Sequence, residues 1–369
     1  MNKIVQKSLQ DLEFPTVLEQ VAKRCNTLLG KERIKELKPL SNKEAILNAL
    51  GCTSEYLSSF TNENRIPNHG FDAIDAELRL LKIENTTLEI PGFRRIKHIC
   101  LTVSDHKKFF KKFKEYYPLL FQVSESVENL KQLPEYIDGV IDKFGKVRDD
   151  ASPDLQSIRR NMGLVKSKIN QSFGAALARY QASEFLDEIR ESVVENRRVL
   201  AVKSMYRKKV KGTVMGTSKT GSIIYIEPEA SLRYSRELSN LEFDEKEEIQ
   251  RILNTLTDRI RPSVELLNTY QDYLATIDLT AAKAKYAAEM NAILPDFNDD
   301  KKLFLKDAYH PLLYLNNKYT KETTYPQTIE LHPENRIIVI SGPNAGGKSI
   351  TLKTIGLLQI MLQSGLLIP

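Results

Sequence analysis

The chain has 369 residues, of which 41% are hydrophobic and 28% charged, and a net charge of +6. It is too long for one ordinary domain and too apolar for a disordered chain, and with no Trp and few Gly or Pro its balance leans towards helices. Cys25, Cys52 and Cys100 fit neither a disulfide framework nor a zinc pair, and no signal-peptide pattern or run of ~20 apolar residues is present, so a cytoplasmic protein without a membrane span is expected.

Residues 1–150 read as a helical core domain. Leu9, Leu12, Val17, Leu18 and Val21 recur at helical spacing, and similar patterns continue to about Leu133, punctuated by Pro39, Pro67, Pro91 and Pro118. His69, His98 and His106 lack the i, i+4 spacing of a metal pair and read as surface or core histidines. A long helix comes next. Ser152 suits its N-cap and Pro153 its first position, where the missing N–H would have no helical partner. Leu155, Ile158, Met162, Val165, Ile169, Ser172 with Phe173, Ala176 and Tyr180 then alternate at three- and four-residue spacing, the seam of a coiled-coil-like helix. Continued to Phe185 it would be about 50 Å long. A second such helix is expected at 229–260, with Leu238, Leu241, Ile249, Ile252, Leu253, Leu256 and Ile260 on one side. Residues 151–196 and 229–262 are thus expected to be antiparallel lever helices, with a helical return to the core at 263–295. Two ordinary bundle helices would give the same pattern.

Residues 197–228, between the arms, change character. The runs 199–202, 210–215 and 222–226 favour strands, and Gly212, Gly216 and Gly221 supply turns. From Arg197 to Ile226 there are eight basic residues (Arg197, Arg198, Lys203, Arg207, Lys208, Lys209, Lys211 and Lys219) and no acidic one. These thirty residues carry +8 where the whole chain carries +6, so the remainder is −2. A basic run is usually a solvated face. A run purged of acids on a small β unit points instead to a polyanion, and phosphate contacts of that kind give affinity without reading sequence. Arg207, Lys208, Lys209, Lys211 and Lys219 are the expected nucleic-acid contacts. Tyr206 and Tyr225 by themselves do not make a stacking platform.

Residues 296–369 turn to α/β character. Ile337, Ile338, Val339 and Ile340 predict a buried parallel strand. It leads into G-x-x-x-x-G-K-S, formed by Gly342, Pro343, Asn344, Ala345, Gly346, Gly347, Lys348 and Ser349. A helix with Leu352, Ile355, Leu358 and Leu362 on one face should follow, which gives the strand–loop–helix order of a phosphate-binding loop. The glycines let backbone N–H groups approach a phosphate, and the helix start adds free N–H groups and its positive end. Lys348 would lie between the β- and γ-phosphates of ATP, and Ser349 would offer its hydroxyl to Mg²⁺. Twenty residues follow Ser349, too few for the second acidic motif that organises Mg²⁺ and water. The chain is therefore expected to be a piece of a longer protein, with no catalytic residue of its own and no steady-state hydrolysis.

The segment G-P-N-A-G-G-K-S-I-T-L-K-T-I-G-L-L at 342–358 resembles the phosphate loop of the MutS family, most closely its second bacterial branch, linked to suppression of recombination. V-R-D-D-A-S-P-D-L at 147–155, the tract from R-V-L-A-V-K at 198–203 to I-Y-I-E-P-E at 224–229, and D-A-Y-H-P-L-L at 307–313 agree in order over essentially the whole chain. The resemblance implies a mainly α multidomain fold: helical core, lever helices, a small β-rich clamp at their tips, and the start of a P-loop, ABC-type ATPase domain. That domain would dimerise in the full-length protein. The implied function is ATP-dependent binding of mismatched, branched or duplex DNA in repair or in suppression of recombination, with collided ribosomes and their RNA as the alternative target. The mismatch-reading domain of the repair branch and the C-terminal nuclease domain of this branch are not in these residues, so endonuclease activity is not expected of them. The segment before the loop would face adenine, with Tyr325 either stacked on the base or packed on a sheet edge, while His310 reads as structural. Another P-loop machine with long helical arms would usually place its loop before those arms, whereas about 340 residues precede it here.

Overall fold

The computed structural model describes residues 6–128, 130–297, 300–341 and 347–369. They form two compact units, residues up to 83 with 91–134 and 260–369 in one, and 84–90 with 135–259 in the other. The helices are α1 (Gln6–Asp11), α2 (Phe14–Ala22), α3 (Leu28–Lys35), α4 (Lys43–Ser58), α5 (Asp75–Leu81), α6 (Ile90–Lys112), α7 (Pro118–Glu125), α8 (Gln132–Asp138), α9 (Pro153–Ala182), α10 (Glu229–Ile260), α11 (Val264–Glu289), α12 (Pro311–Thr320) and α13 (Lys348–Gln363). The strands are β1 (Leu186–Val194), β2 (Arg197–Lys203), β3 (Gly212–Thr217), β4 (Ile223–Pro228), β5 (Leu303–Ala308) and β6 (Gln327–Leu331). The fold is mainly helical with two small antiparallel sheets. Among the described residues no helix is long and apolar enough to cross a membrane.

The first unit is organised around α11. Leu267, Tyr270, Leu274, Ile277, Ala281 and Ala284 follow one another at three- and four-residue spacing and are all fully buried. α2, α3, α4 and α5 pack around that helix. Each buried Leu or Ile stabilises the unit by roughly 2 kcal/mol, so Leu274→Ala should cost about 3 kcal/mol. Of the prolines that punctuate the sequence, Pro39 and Pro67 lie in links between helices and the other two start helices. Pro118 opens α7 and Pro91 lies in the first turn of α6, where a missing N–H is tolerated.

In the second unit, Ser152 caps α9 by accepting from the Leu155 N–H at 3.0 Å, and Pro153 takes the first helical position. Leu155, Met162, Val165, Phe173, Ala176 and Tyr180 form the buried seam, with Ile158, Ile169 and Ser172 half-buried. α10 runs over the expected residues. The four-stranded sheet has the order β1-β2-β4-β3. Its interior side chains Leu186, Leu200, Val202 and Ile226, with Val210 from the link before β3, pack on Phe173, Ala176 and Tyr180 of α9. The arm expected at 151–196 therefore stops being helical at Ala182, and 186–194, expected to belong to that arm, form β1. Asp187, Glu188, Arg190 and Glu191 obscure this strand, because acidic residues are poor strand formers. At a sheet edge those charges are tolerated and discourage pairing with another chain.

Residues 300–369 depart further from expectation. β5 and β6 pair with each other, antiparallel. Residues 337–340 are not a strand, and Ile337 and Val339 are 79% and 85% exposed. A β-branched run becomes a strand only when a neighbour takes up its hydrogen bonds, and among the described residues none pairs with this one. The inward face of α13 is rotated from the expected one: Leu358 is buried and Ile355 and Leu362 are half-buried as expected, but Leu352 is exposed, and Thr354, Leu357, Ile360 and Met361 are buried as well. The helix packs on α2 and α4, and its buried side chains belong to the apolar cluster of the helical core.

His106 on α6 is fully buried, with Nε2 3.3 Å from the Asn68 carbonyl and Nδ1 3.5 Å from the Tyr273 hydroxyl. Burial pushes its pKa down to about 4. The folded state thus binds fewer protons than the unfolded state between pH 6.5 and 4. This contribution is complete above pH 6.5 and is lost as pH falls through 4, by roughly 3 kcal/mol in total. Denaturant unfolding at pH 7 and pH 4.5 should show the loss, and His106→Gln should flatten that part of the pH dependence.

Candidate nucleotide and nucleic-acid sites

Of the expected phosphate loop, Gly342, Pro343, Asn344, Ala345 and Gly346 lie outside the described residues. Gly347 is the N-cap of α13 with φ +81°, a left-handed conformation that favours glycine. Lys348 is the first helical residue and half-buried, and Ser349, the second, is exposed. The Thr351 N–H donates to the Gly347 carbonyl at 3.0 Å, closing the first turn. Lys348 and the Ser349 hydroxyl thus stand at the positive end of a 16-residue helix, where the first N–H groups have no helical acceptor.

A cavity of about 380 Å³ adjoins Ser349 and is lined also by His310, Asn316, Lys353 and Glu13. Lys353 pairs with Glu13 at 3.2 Å. His310 is the N-cap of α12, its Nδ1 accepting from the Leu313 N–H at 3.5 Å. Burial holds its ring below the usual imidazole range; Glu13 opposes this shift and the Lys353 ammonium adds to it. The ring therefore has a structural task, and the same cavity brings it beside the start of α13. Tyr325 is 81% exposed, ahead of β6, and does not line this cavity.

The other end of α13 is fastened to the helical core. Gly365 follows it with φ +69°, its N–H donating to the Leu362 carbonyl at 3.0 Å while the Leu366 N–H donates to Met361 at 2.9 Å. The last carbonyls also have partners from other helices and loops. Leu40 N–H donates to Gln363 at 2.8 Å, Lys283 Nζ to Ser364 at 2.7 Å, and Thr53 Oγ1 to Gly365 at 2.9 Å. Burial lowers the Lys283 pKa to about 8. Sequence patterning does not reveal this lysine; it is one of two, with Lys285, in the alanine-rich end of α11, and only the fold shows which is buried.

In the second unit, the five expected nucleic-acid contacts do not share one spot. Lys211 precedes β3 and Lys219 follows it, so they stand at opposite ends of a six-residue strand, about 20 Å apart. Lys219 lies in the β3–β4 turn. Ser204 N–H, just after Lys203, donates to Ser222 across the same sheet end at 2.9 Å. Lys203 therefore belongs with Lys219, although it is not among the five expected contacts. Arg207, Lys208 and Lys209 lie on the 3₁₀ turn Ser204–Lys209 that leaves this end. The turn is held by Tyr206, stacked on Phe185 with centroids 4.8 Å apart, and Lys209 Nζ lies 5.4 and 5.5 Å from those two ring centroids. Lys208, Lys209, Lys211 and Lys219 are exposed and Arg207 is half-buried. Two of the eight cations are neutralised within the sheet: Arg197 pairs with Glu227 at 3.0 Å and Arg198 with Glu191 at 2.5 Å.

Among the described residues no three His, Cys, Asp or Glu side chains gather as a metal site. His69 is buried, with Nε2 3.0 Å from Asp278 Oδ1.

Fold and residues together describe a mainly helical, multidomain protein with a small β unit on long helices. Comparison with known proteins adds its kinship, although no family model matches the chain. It is 35% identical to a putative endonuclease MutS2 of Bacillus subtilis over 367 residues, 99% of this chain and 46% of that protein. It is 34% identical to an endonuclease MutS2 of Bacillus velezensis over 367 residues, covering 99% of this chain and 46% of the relative. A third, from Alkaliphilus oremlandii, is 31% identical over 366 residues, with 99% and 45% covered. The chain is MutS2-like over nearly all of its own length, and spans about 46% of the length of those relatives.

Gly365→Ala should loosen the seat of α13. A Cβ there would lie 2.7 Å from Ala49 Cβ on a backbone with positive φ. The substitution should cost roughly 1–3 kcal/mol, measured as a lower denaturant midpoint with unchanged slope. Equal stability would show that the helix end is not confined as described.

Proposed function

We propose that the chain is the nucleotide-binding and nucleic-acid-gripping part of a MutS-family ATPase that acts on DNA. The observation that carries the nucleotide half is the Gly347–Lys348–Ser349 start of α13, where a left-handed glycine, a cation and an exposed hydroxyl meet the positive end of a helix. That set of groups fits a nucleotide phosphate with Mg²⁺. Gly342, Asn344, Ala345 and Gly346 would supply further backbone N–H groups and Pro343 would shape the loop, Lys348 would neutralise phosphate charge, and Ser349 would ligate Mg²⁺. Bound Mg²⁺ would draw charge off the phosphates; the chain's own residues hold and orient the nucleotide, with Tyr325 proposed as the base-stacking side chain. The names of the relatives say endonuclease of those proteins; cleavage is not assigned to any residue of this chain. Homodimerisation through the ATPase domain, as the resemblance implies, belongs to the same proposal.

The DNA half rests on cations at the surface of the second unit. The exposed Lys203, Lys208 and Lys219 and the half-buried Arg207 are on, or leave from, one end of the sheet, away from the turn that carries Glu195. Such a surface suits phosphate backbones, with mismatched, branched and duplex DNA gripped alike through charge. The ribosome and its RNA offer the same phosphates and are the competing target.

Two measurements test this reading. Lys348→Ala should weaken Mg-ATP binding by at least about tenfold in calorimetry, through loss of a charge-assisted phosphate interaction. An unchanged affinity would remove the nucleotide assignment. Alanine at Lys203, Arg207, Lys208 and Lys219 together should weaken duplex and branched DNA about equally. The slope of log affinity against log salt should fall by roughly 0.9 for each phosphate no longer neutralised. Identical slopes would make the basic turn a solvated face, and stronger binding to ribosomes than to any DNA would move the target to RNA.

A further inference from the structure

A cavity of about 520 Å³ opens in the second unit between α9, α10 and the β1–β2 turn. A water takes up about 30 Å³ in the liquid, so the space holds far more than a bridging solvent molecule. One wall is a face of α10 marked by Ser231, Ser235 and Glu242 at helical spacing, continued at the end of β4 by Glu227. Glu227, Ser231 and Ser235 are 1%, 2% and 8% exposed. The Glu227 carboxylate is half-satisfied. Its Oε2 accepts from Arg197 Nη1 at 3.0 Å, while Oε1 is buried and accepts from no protein group. A buried carboxylate oxygen without a donor is costly, and because Glu227 lines the cavity, a small shift of the side chains over it would open it to a donor.

The chemistry of that donor follows from the neighbours. Arg197 is engaged by Glu227; Arg198 is engaged by Glu191 and by Asn170 Oδ1 at 3.1 Å, over the Phe173 ring. Of the remaining charges that line the cavity, Glu195 and Glu242 are acidic and Lys166 is basic, so the balance favours a cation. A divalent metal ion would need several oxygen ligands, and the described residues hold no metal cluster here. A guanidinium prefers both oxygens of a carboxylate, and Oε2 is already taken. An ammonium has three donors and can use one oxygen together with hydroxyl lone pairs. Ser231 suits this, because its own proton goes to the Pro228 carbonyl at 3.1 Å and leaves its lone pairs to accept.

We infer that this cleft binds a primary alkylammonium group, its head set against Glu227 Oε1 and the Ser231 and Ser235 hydroxyls. A linear diamine places its second charge towards Glu242 and Glu195. A lysine side chain carries the same head with one charge. The site is independent of the nucleotide and DNA reading.

The test is calorimetric titration of putrescine into the 369-residue chain at about 150 mM salt, with N-acetyl-lysine methylamide and MgCl₂ in parallel. Putrescine should bind at one saturable site, and MgCl₂ should not compete beyond its ionic strength. Glu227→Gln should weaken binding at least tenfold. Ser235→Leu, which fills the cleft and keeps the Arg197–Glu227 pair, should do the same and carries the test if Glu227→Gln fails to fold. Tighter binding of the diamine points to a free diamine, and equal binding of the lysine amide to a protein side chain; both support the ammonium site. Absent binding, or unsaturable binding that Ser235→Leu leaves unchanged, overturns it in favour of diffuse association with the acidic surface of α10.

Discussion

Four donors converge on the buried carboxylate of Asp278, and the helical unit is arranged around that convergence. The Asn26 and Thr27 N–H groups donate to it at 2.9 Å each, the Thr27 hydroxyl at 2.6 Å, and His69 Nε2 lies 3.0 Å away. Burial pushes the carboxyl pKa up, and the hydrogen bonds from His69, Thr27 and Asn26 outweigh it and hold the group below its usual range. The charge lies against the first turn of α3, where free N–H groups and the positive end of a helix favour an anion. Only glycine fits beside it, since a Cβ at Gly30 would stand 2.2 Å from Asp278 Oδ2. One side chain of α11 thus fixes the α2–α3 turn and the loop that carries His69.

The same helix repeats the device at two other levels, with the chemistry matched to the helix end it meets. Gln271 accepts from the Ile74 N–H at 2.6 Å and donates to Asp75 at 3.1 Å, which caps the start of α5 where Ile74 has no capping side chain. Lys283 meets the carbonyl end of α13, the negative end, with a cation. A carboxylate at one helix start, an amide at another and an ammonium at a helix end leave α11 holding three other helices by their termini. Apolar packing alone fixes how close helices lie. These polar contacts also fix how far each has slid along its axis, because a cap one turn out of place would leave a buried charge without partners.

What is legible in the sequence follows from where the deciding interactions lie. α9 and α10 are readable because their determinants are local: Ser152 and Pro153 at the start, and a three- and four-residue apolar rhythm along the seam. β1 is not, because Leu186 to Val194 is a charged edge whose strand character comes from pairing with β2. The inward face of α13 differs from the expected one because periodicity shows that a face exists, and the partner decides which one it is. Leu358 lies inside as its spacing suggests, yet Leu352 does not, and Leu357 and Met361 are buried beside it. The fastening of α13 through Leu40, Thr53 and Lys283 involves residues 81 to over 300 positions away, which no windowed pattern can join.

Charge in the second unit makes the same point. As a string, residues 197–226 are all cation and no anion. In three dimensions the acids that flank the block come back to it: Glu191 from β1 reaches Arg198, and Glu227, one residue beyond the block, reaches Arg197. Both neutralised arginines open β2, beside the β1–β2 turn, while Lys203 closes β2 at the end joined to the Lys219 turn. The sheet is therefore uneven along its strands, with the two paired arginines, Glu195 and the exposed Lys211 at one end and Lys203, Lys219 and the start of the basic 3₁₀ turn at the other. A uniformly basic surface would attract any polyanion in any orientation. A sheet with its positive potential at one end favours approaches that put phosphates there, which gives a charge-driven contact a direction without any base being read.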